Sequence, residues 1–264
     1  MLAPVLIAFL NACFMQGRLP ACVSSALVTP VHKKEAATDT ANHRPIAVGE
    51  PLYRLYTIIL NFRLVAWSEE HGLRSPVQAG FRPEHSPVHH LFALRHFIDR
   101  AILQRRPLFV AFVDLQKVYD TVQLNLLWAR LEAIGVSPRM LAAIGSLYSS
   151  NALSMRVGGM AGSPLLQQNG VRQGCPLSPT LFGIVFDGLH GHLDSLAPHA
   201  EVQLGSGRWV SSLVYADVVV LLSWTFAGLQ MLLDGMHSFC QALGITISSS
   251  KTEVVVFNGM ASGT

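Results

Sequence analysis

The spacing of apolar residues changes from a helical to a strand-like pattern near residue 107. Residues 51–67 and 87–104 repeat apolar side chains every three or four positions, and each stretch begins with a proline, which favours the first turn of a helix. Residues 108–114 form a short, almost continuous apolar run, which is typical of a strand buried on both faces. The pattern predicts a helical front third followed by mixed helices and strands.

Helices and strands alternate after the first predicted strand. The predicted helices cover 122–134, 138–149, 179–194 and 225–243. A hairpin is expected to join 152–157 to 164–168, two strand-like runs meet at Ala216-Asp217 within 209–223, and a last hairpin is expected within 244–257. This order predicts an α+β fold with an antiparallel sheet.

The first ten residues are strongly apolar but lack the basic start of a secretory signal, and no small-residue cleavage site follows them. They are expected to form a buried helix, with a secretory signal as the alternative. No apolar run approaches the roughly 18 residues that a membrane span requires. The mean hydropathy of +0.38 leaves a membrane-associated helical protein as a further alternative.

The composition indicates a folded domain. Charged residues make up 13% of the 264 residues and apolar residues 50%, which excludes a disordered tail or a charged coiled coil. The length fits one large domain or two adjoining subdomains. The cysteines lack CxxC spacing and are expected to be buried free thiols in a reducing compartment: Cys13, Cys22, Cys175 and Cys240.

The charge is distributed unevenly along the chain. Residues 1–106 carry 12 basic and 7 acidic side chains, a net +5, whereas residues 107–264 carry 7 and 9, a net −2. Such a division suits a phosphate-binding surface beside a metal-binding one, although surface charge also divides this way by chance.

Two aspartates stand where predicted strands end. Asp114 closes the 108–114 run, and Asp217 interrupts the run at 209–223, 103 residues further along the chain. A carboxylate at the end of an apolar strand is costly unless it is paired or binds a metal. Two carboxylates that meet at adjacent strand ends would suit divalent cations and phosphoryl transfer, whereas each aspartate alone can simply end a strand in a turn.

Seven sequence blocks in a fixed order decide whether the two aspartates form a shared metal site or each simply end a strand. They read TPVHKK, NHRPIAV, QAGFRPEHSPVHHLFALR, LFVAFVDLQKVYDTV, NGVRQGCPLSPTLFGIVFD, LVYADVVVLLS and LGITISSSKTEVVVF. From about residue 5 to 257 the chain resembles the reverse transcriptase domain of non-LTR (LINE-type) retrotransposons, and more distantly the reverse transcriptases of group II introns.

The resemblance implies a right-hand polymerase with fingers and palm and an antiparallel palm sheet with packed helices. The fingers are expected at about 1–107 and 123–180, and the palm at about 108–122 and 181–264. The family continues into a thumb, whereas this sequence stops seven residues after Phe257. A missing thumb, poor processivity and a partial or degraded copy of a mobile element are therefore expected.

The resemblance also assigns the catalytic and metal-binding positions. Asp114 and Asp217 correspond to the metal-binding aspartates, with the backbone carbonyl of Leu115 as a further ligand of magnesium (Mg²⁺), for which Mn²⁺ can substitute. Where the family has a second aspartate after Asp217, this chain has Val218. The exchange removes one carboxylate and places catalytic activity in doubt.

The remaining assignments concern nucleotide and template. The resemblance implies a nucleotide-binding set consisting of Lys33, Lys34, Arg44, Tyr119, Gln173 and Gly174. Tyr119 would exclude a 2′-hydroxyl by a steric clash, or else pack as an ordinary buried tyrosine. Lys251 would act near the leaving pyrophosphate as a proton donor, or else be a solvated hairpin lysine. Arg82 would lie along the template path.

The implied function is RNA-directed DNA polymerisation, in which a primer 3′-hydroxyl is extended by two-metal phosphoryl transfer. The implied partners are an RNA template, a DNA primer and deoxynucleoside triphosphates, with no membrane. The alternative is a catalytically inactive nucleic-acid-binding remnant that keeps the fold. An intracellular location is expected, nuclear if the protein is expressed, and the sequence does not define an oligomeric state.

Overall fold

A computed structural model describes residues 2–33, 36–149, 152–196, 202–203 and 209–258. The chain divides into two compact units, the first formed by Met1–His71 with Tyr119–Phe182 and the second by Gly72–Val118 with Gly183–Thr264. Residues 72–107, assigned to the fingers by the resemblance, belong to the second unit in this division. The assignment of fingers and palm stays a prediction.

From residue 108 onwards the helices and strands largely follow the order expected from the apolar pattern. The front third, predicted to be helical, also contains two paired strands, which corrects that prediction. The helices are α1 (Leu2–Gln16), α2 (Ala21–Ser24), α3 (Pro51–Glu70), α4 (Pro87–Leu103), α5 (Val118–Thr121), α6 (Leu124–Ala133), α7 (Pro138–Ser149), α8 (Ser178–Phe186), α9 (Gly188–Leu196) and α10 (Phe226–Leu243). The strands are β1 (Ala26–His32), β2 (His43–Gly49), β3 (Leu108–Gln116), β4 (Ala152–Val157), β5 (Met160–Ala161), β6 (Leu165–Leu166), β7 (Val202–Gln203), β8 (Trp209–Val210), β9 (Ser212–Tyr215), β10 (Val218–Ser223), β11 (Thr246–Ile247) and β12 (Glu253–Phe257).

The second unit is built on an antiparallel sheet in the order β11-β3-β10-β9, with β12 also paired to β3. We call it the aspartate sheet. Its central strand β3 pairs with β10 along most of its length, and the paired residues Val113 and Val219 are almost completely buried. The predicted apolar strand is thus confirmed as the centre of a sheet, and it is two residues longer than expected.

The first unit contains a smaller sheet in the order β2-β1-β4-β5, with β6 paired to β4. β1 runs antiparallel to β2 but parallel to β4, so this sheet is mixed. Ala26, Val28 and Ala47 form its small apolar core, with Leu153 packed against them. The turn at Gly158-Gly159 connects β4 to β5. β4 also pairs antiparallel with β6, which confirms the pairing predicted between 152–157 and 164–168.

Two predicted elements in the second half of the chain also differ from the structure. The helix expected at 179–194 is split into α8 and α9 at Asp187, whose carboxylate accepts a hydrogen bond from Arg74 Nε in a buried ion pair. Burial raises the pKa of Asp187, and the Arg74 guanidinium opposes that rise. The last predicted hairpin is wrong, because β11 and β12 both pair with β3 rather than with each other.

The N-terminal helix is less buried than its apolar sequence predicts. In α1 only Leu10 and Cys13 are buried, while Leu2 is 81% exposed. Among the cysteines, Cys22 is exposed, which corrects the expectation that all four are buried. Within the described part of the chain, no helix is both long and apolar enough to cross a membrane.

Candidate functional site

Asp114 and Asp217 lie at the same end of the aspartate sheet. Asp217 belongs to the two-residue turn between β9 and β10, and Tyr215 pairs with Val218 across that turn. Asp114 lies on β3 directly opposite Val218, the residue that follows Asp217. Because opposed Cα atoms in an antiparallel pair are about 4.5–5.5 Å apart, this register brings the two aspartates together across 103 residues of sequence.

Asp114 is on the more accessible face of the sheet. Side chains directly opposed in an antiparallel pair share a face, so Asp114 and Val218 point to the same side. The Asp114 side chain is 28% exposed and Val218 is 43% exposed, whereas the neighbouring pair Val113 and Val219 faces the core. The carboxylate is therefore held by a buried strand and remains open to a ligand.

Lys251 forms an ion pair with Asp114. Its Nζ lies 3.2 Å from Asp114 Oδ2, although the lysine side chain is 71% exposed. A turn between β11 and β12 carries Lys251, and the Ser248 carbonyl accepts hydrogen bonds from the backbone N–H groups of Lys251 and Thr252. This turn interrupts the edge strand beside β3, which explains why the sequence around it resembles a hairpin.

The oxygen donors of this site suit a hard divalent cation. Among the described residues, no group of three or more His, Cys, Asp or Glu side chains could hold a metal ion. Two half-buried aspartates can supply part of an Mg²⁺ coordination shell, because Mg²⁺ usually keeps several waters or substrate phosphates as ligands. The role of the Leu115 carbonyl stays a prediction; its residue is buried and paired with Ile247.

A segment that no sequence pattern links to the aspartates packs against β9 and the turn that carries Asp217. Ala79 N donates to Val214 O, and Val214 N donates to Val77 O, so residues 77–79 run alongside β9. The predicted template residue Arg82 donates from Nη1 to the carbonyls of Ser75 and Gln78, which folds the same loop. Its template contact stays a prediction. The QAGFR block marks this segment in the sequence. The sequence does not show, however, that the segment lies beside β9.

The predicted nucleotide-binding residues belong to the first unit. Lys33 and Arg44 are exposed and lie on the β1–β2 hairpin, where Lys33 N donates to Asn42 O. Lys34 lies outside the described residues. The hairpin thus presents cationic side chains, and their contact with a triphosphate stays a prediction.

Gln173 and Gly174 dock on the same hairpin. Ala47 N donates to Gln173 O at 2.7 Å. Gly174 has φ +110°, and a Cβ there would lie 2.7 Å from Ala47 O, so only glycine fits this approach. The structure therefore joins two sequence blocks, one carrying Arg44 and the other Gln173, within one unit.

Tyr119 also belongs to the first unit and is half-buried. Its ring packs against Phe182 with centroids 5.8 Å apart, and its carbonyl accepts a hydrogen bond from Val171 N. A Cβ at Gly170 would lie 2.7 Å from this carbonyl, which shows how closely the block before Gln173 approaches Tyr119. Its role towards the sugar stays a prediction.

An antiparallel sheet in an α+β chain, with Asp114 on its central strand and Asp217 in a turn at the same end, has the arrangement expected of a right-hand polymerase. The chain belongs to the reverse transcriptase family: residues 31–260 match the family described as "Reverse transcriptase (RNA-dependent DNA polymerase)". The expected family is thereby confirmed.

Its relatives are proteins of non-LTR retrotransposons. The chain is 26% identical over 258 residues to the Pol polyprotein of the element R2DM from Drosophila melanogaster, a match covering 97% of this chain and 23% of that protein. It is 27% identical over 245 residues to an R2 protein from Popillia japonica, covering 92% and 34%. The chain therefore spans about a quarter to a third of the length of these relatives, and the similarity supports the expected LINE-type reverse transcriptase domain.

Solved structures support the fold. An apo telomerase from Candida tropicalis, truncated from its C-terminal domain, matches with a TM-score of 0.69 and 13% identity, covering 93% of this chain and 52% of that one. A second Candida tropicalis telomerase, in complex with a fragment of telomeric RNA, matches with a TM-score of 0.66 and 11% identity, covering 93% and 42%. The expected α+β arrangement is confirmed.

Proposed function

We propose that this chain extends a DNA primer on an RNA template, using the aspartate sheet as its catalytic centre. The observation that carries the proposal is the register that puts Asp114 opposite the residue after Asp217 on an accessible face. Phosphoryl transfer requires mainly positioning and neutralisation of charge, and a sheet that holds Asp114 beside the turn of Asp217 would provide the anchor for both.

Mg²⁺ is the proposed metal, with Mn²⁺ as a substitute. Asp114 and Asp217 would hold it, with the Leu115 carbonyl as a further ligand. When bound, the metal supplies activation of the primer hydroxyl and neutralisation of the phosphates. The chain's own contribution is to fix these oxygens at the end of buried strands.

Lys251 would act in this reaction as a partner of Asp114 and as a proton donor. Its ammonium neutralises Asp114 in the structure described here and lies on an exposed turn. A cation that binds Asp114 would displace the ammonium towards solvent, where it can meet a leaving pyrophosphate and donate a proton to it. The same lysine would thus serve both the resting site and product release.

The substrates follow from the cationic hairpin and from the family. The triphosphate of a deoxynucleotide would contact Lys33, Lys34 and Arg44. Gln173 and Gly174 would lie close to its base. Tyr119 would exclude the 2′-hydroxyl, and Arg82 would lie along the RNA template. Residues 1–107 and 123–180 would act as fingers, and residues 108–122 and 181–264 as palm. A reaction on chromosomal DNA would place the protein in the nucleus.

Val218 favours a second candidate function. It places an apolar side chain opposite Asp114 where the family has a carboxylate. A chain with too few metal ligands would keep its fold and bind nucleic acid without extending a primer. This candidate is an inactive nucleic-acid-binding remnant.

A primer-extension assay separates the two candidates. The 264-residue chain and its Asp114→Asn variant are given an RNA template annealed to a DNA primer, deoxynucleoside triphosphates and either Mg²⁺, Mn²⁺ or a chelator. Extension that requires metal and Asp114 supports the polymerase. Binding of the primer–template, measured by fluorescence anisotropy, without any extension in Mg²⁺ or Mn²⁺ would support the remnant.

A further inference from the structure

Gln78 is a buried amide beside the turn that carries Asp217. Only 1% of the residue is exposed, and it lies in the loop segment that runs alongside β9. Its Oε1 accepts hydrogen bonds from the backbone N–H of Gly80, at 2.8 Å, and of Ala216, at 3.1 Å. One side-chain oxygen therefore connects the loop to the residue immediately before Asp217.

The backbone at Ala216 needs such support. Its φ is +57°, a left-handed conformation that residues other than glycine rarely adopt. Backbone of this kind is strained and persists only where surrounding contacts enforce it. The hydrogen bond from Ala216 N to Gln78 is a contact of this kind, and it acts at the residue that sets the direction of Asp217.

Gly80 shows how closely the loop and the turn approach. A Cβ at Gly80 would lie 2.2 Å from Ala216 N and 3.0 Å from Gln78 Oε1. Position 80 therefore has no room for a side chain. The hydrogen bonds at this approach are accepted by the side-chain oxygen of Gln78. The arrangement leaves two buried N–H groups, those of Gly80 and Ala216, dependent on one oxygen.

We propose that Gln78 is a positioning residue of the metal site: by fixing the turn at Ala216 it sets the direction of Asp217 and hence the affinity of the site for a divalent cation. This inference rests on the proposed function, because it assumes that Asp114 and Asp217 bind the cation. Gln78 itself touches neither cation nor substrate. Its effect passes through the backbone of one turn.

The test compares two substitutions of similar length. Gln78→Met fills the same space but removes the acceptor, whereas Gln78→Glu keeps an oxygen acceptor at the same reach. Binding of Mn²⁺ to the full chain is measured by electron paramagnetic resonance without nucleic acid, and Asp114→Asn identifies the signal that belongs to the site. Since changes to groups that orient metal ligands typically cost about 10–100-fold in affinity, we expect a loss in that range for Gln78→Met. Gln78→Glu should bind close to wild type.

A second variant separates positioning from general stability. Glycine adopts a positive φ without strain, so Ala216→Gly should restore part of the Mn²⁺ affinity in a Gln78→Met background. A residue that served only packing would show no such rescue.

Three results would overturn the proposal. The first is unchanged Mn²⁺ affinity in folded Gln78→Met, and the second is an equal loss of affinity in Gln78→Met and Gln78→Glu. The third is unfolding of Gln78→Met both with and without Ala216→Gly, which would mean that Gln78 serves the fold alone. Failure of the proposed function has a different signature. If the proposed function is wrong, wild type would bind Mn²⁺ independently of Asp114, or would bind it through Asp114 and still extend no primer.

Discussion

Val218 lies directly opposite Asp114 in the pairing of β10 with β3, and the two side chains share the accessible face of the aspartate sheet. The family's second aspartate would occupy the position of Val218. A carboxylate there would face Asp114 across one strand pair, with Asp217 next to it in sequence. In the proposed metal site, Val218 would therefore leave the position opposite Asp114 without a carboxylate.

Val218→Asp should increase primer extension, because it adds a hard oxygen donor opposite Asp114. Loss of one preorganised electrostatic group in an active site commonly costs about 10²–10³-fold in rate, so a gain of that order is expected if the other ligands are in place. The measurement is single-nucleotide extension on an RNA template in Mg²⁺.

The double variant Val218→Asp/Asp114→Asn is its control and should lose the gain. A further consequence concerns stability, since three clustered carboxylates repel one another without metal. The melting temperature of Val218→Asp should therefore depend more strongly on Mg²⁺ than that of wild type. Equal extension by wild type and Val218→Asp would show that the second carboxylate is dispensable.

Lys251→Met should strengthen metal binding and weaken extension. Removal of the ammonium frees Asp114 Oδ2 for a cation, and an exposed ion pair of this kind is worth up to ~1 kcal/mol, or about fivefold in affinity. Extension should nevertheless fall if Lys251 donates a proton to the leaving pyrophosphate. Mn²⁺ titration and pre-steady-state extension measure the two effects separately.

Arg95→Met is the matched control, because it removes another exposed ion pair of the second unit, that of Arg95 with Asp99. It should change neither quantity. A Lys251→Met variant with tighter metal binding and unchanged extension would restrict the lysine to its contact with Asp114.

Tyr119→Ala should increase the use of ribonucleotides relative to deoxyribonucleotides. Removing a ring that collides with a 2′-hydroxyl relaxes discrimination without any new attractive contact. The measurement is the ratio of extension efficiencies with matched ribo- and deoxyribonucleoside triphosphates. Tyr119→Phe keeps the ring and should keep the ratio. Unchanged discrimination in Tyr119→Ala, with extension intact, would limit Tyr119 to packing on Phe182.

Breaking the buried ion pair of Arg74 and Asp187 should strongly destabilise the second unit. Their side chains are 1% and 2% exposed, so a charge left without its partner is not solvated. Arg74→Met alone should cost about 3–5 kcal/mol, whereas Arg74→Met/Asp187→Leu should recover much of the loss. Urea denaturation of Arg74→Met, Asp187→Leu and the double variant measures the coupling, and simple additivity of the two single effects would contradict the expectation.

Thr225→Ala should lower stability by about 1 kcal/mol, because Thr225 Oγ1 accepts a hydrogen bond from Gly228 N at the start of α10. Thr225→Ser keeps the hydroxyl and should stay within a few tenths of wild type. Thermal unfolding of both variants provides the comparison. Equal stability of the alanine and serine variants would show that the cap contributes nothing.

Local signals in the sequence were sufficient for most helices and for the central strand. The proline-initiated periodic stretches became α3 and α4, and the continuous apolar run became β3. They were readable because a helix or a buried strand imposes its own period on the residues that form it. The residues within each sequence block, together with the order of the blocks, were sufficient to indicate the family. They also singled out Asp114 and Asp217 as candidate metal ligands.

Contacts between distant segments needed the tertiary structure. The pairing of Asp114 with Val218, the turn that brings Lys251 to Asp114, and the hydrogen bond from Ala216 to Gln78 each join residues more than 100 positions apart. The buried ion pair of Asp187 with Arg74 likewise joins distant segments. Sequence alone determined the elements and the chemistry they carry, because periodicity and residue type act locally. The structure decided which of these side chains meet, because strand register and burial arise only when the whole sheet is assembled.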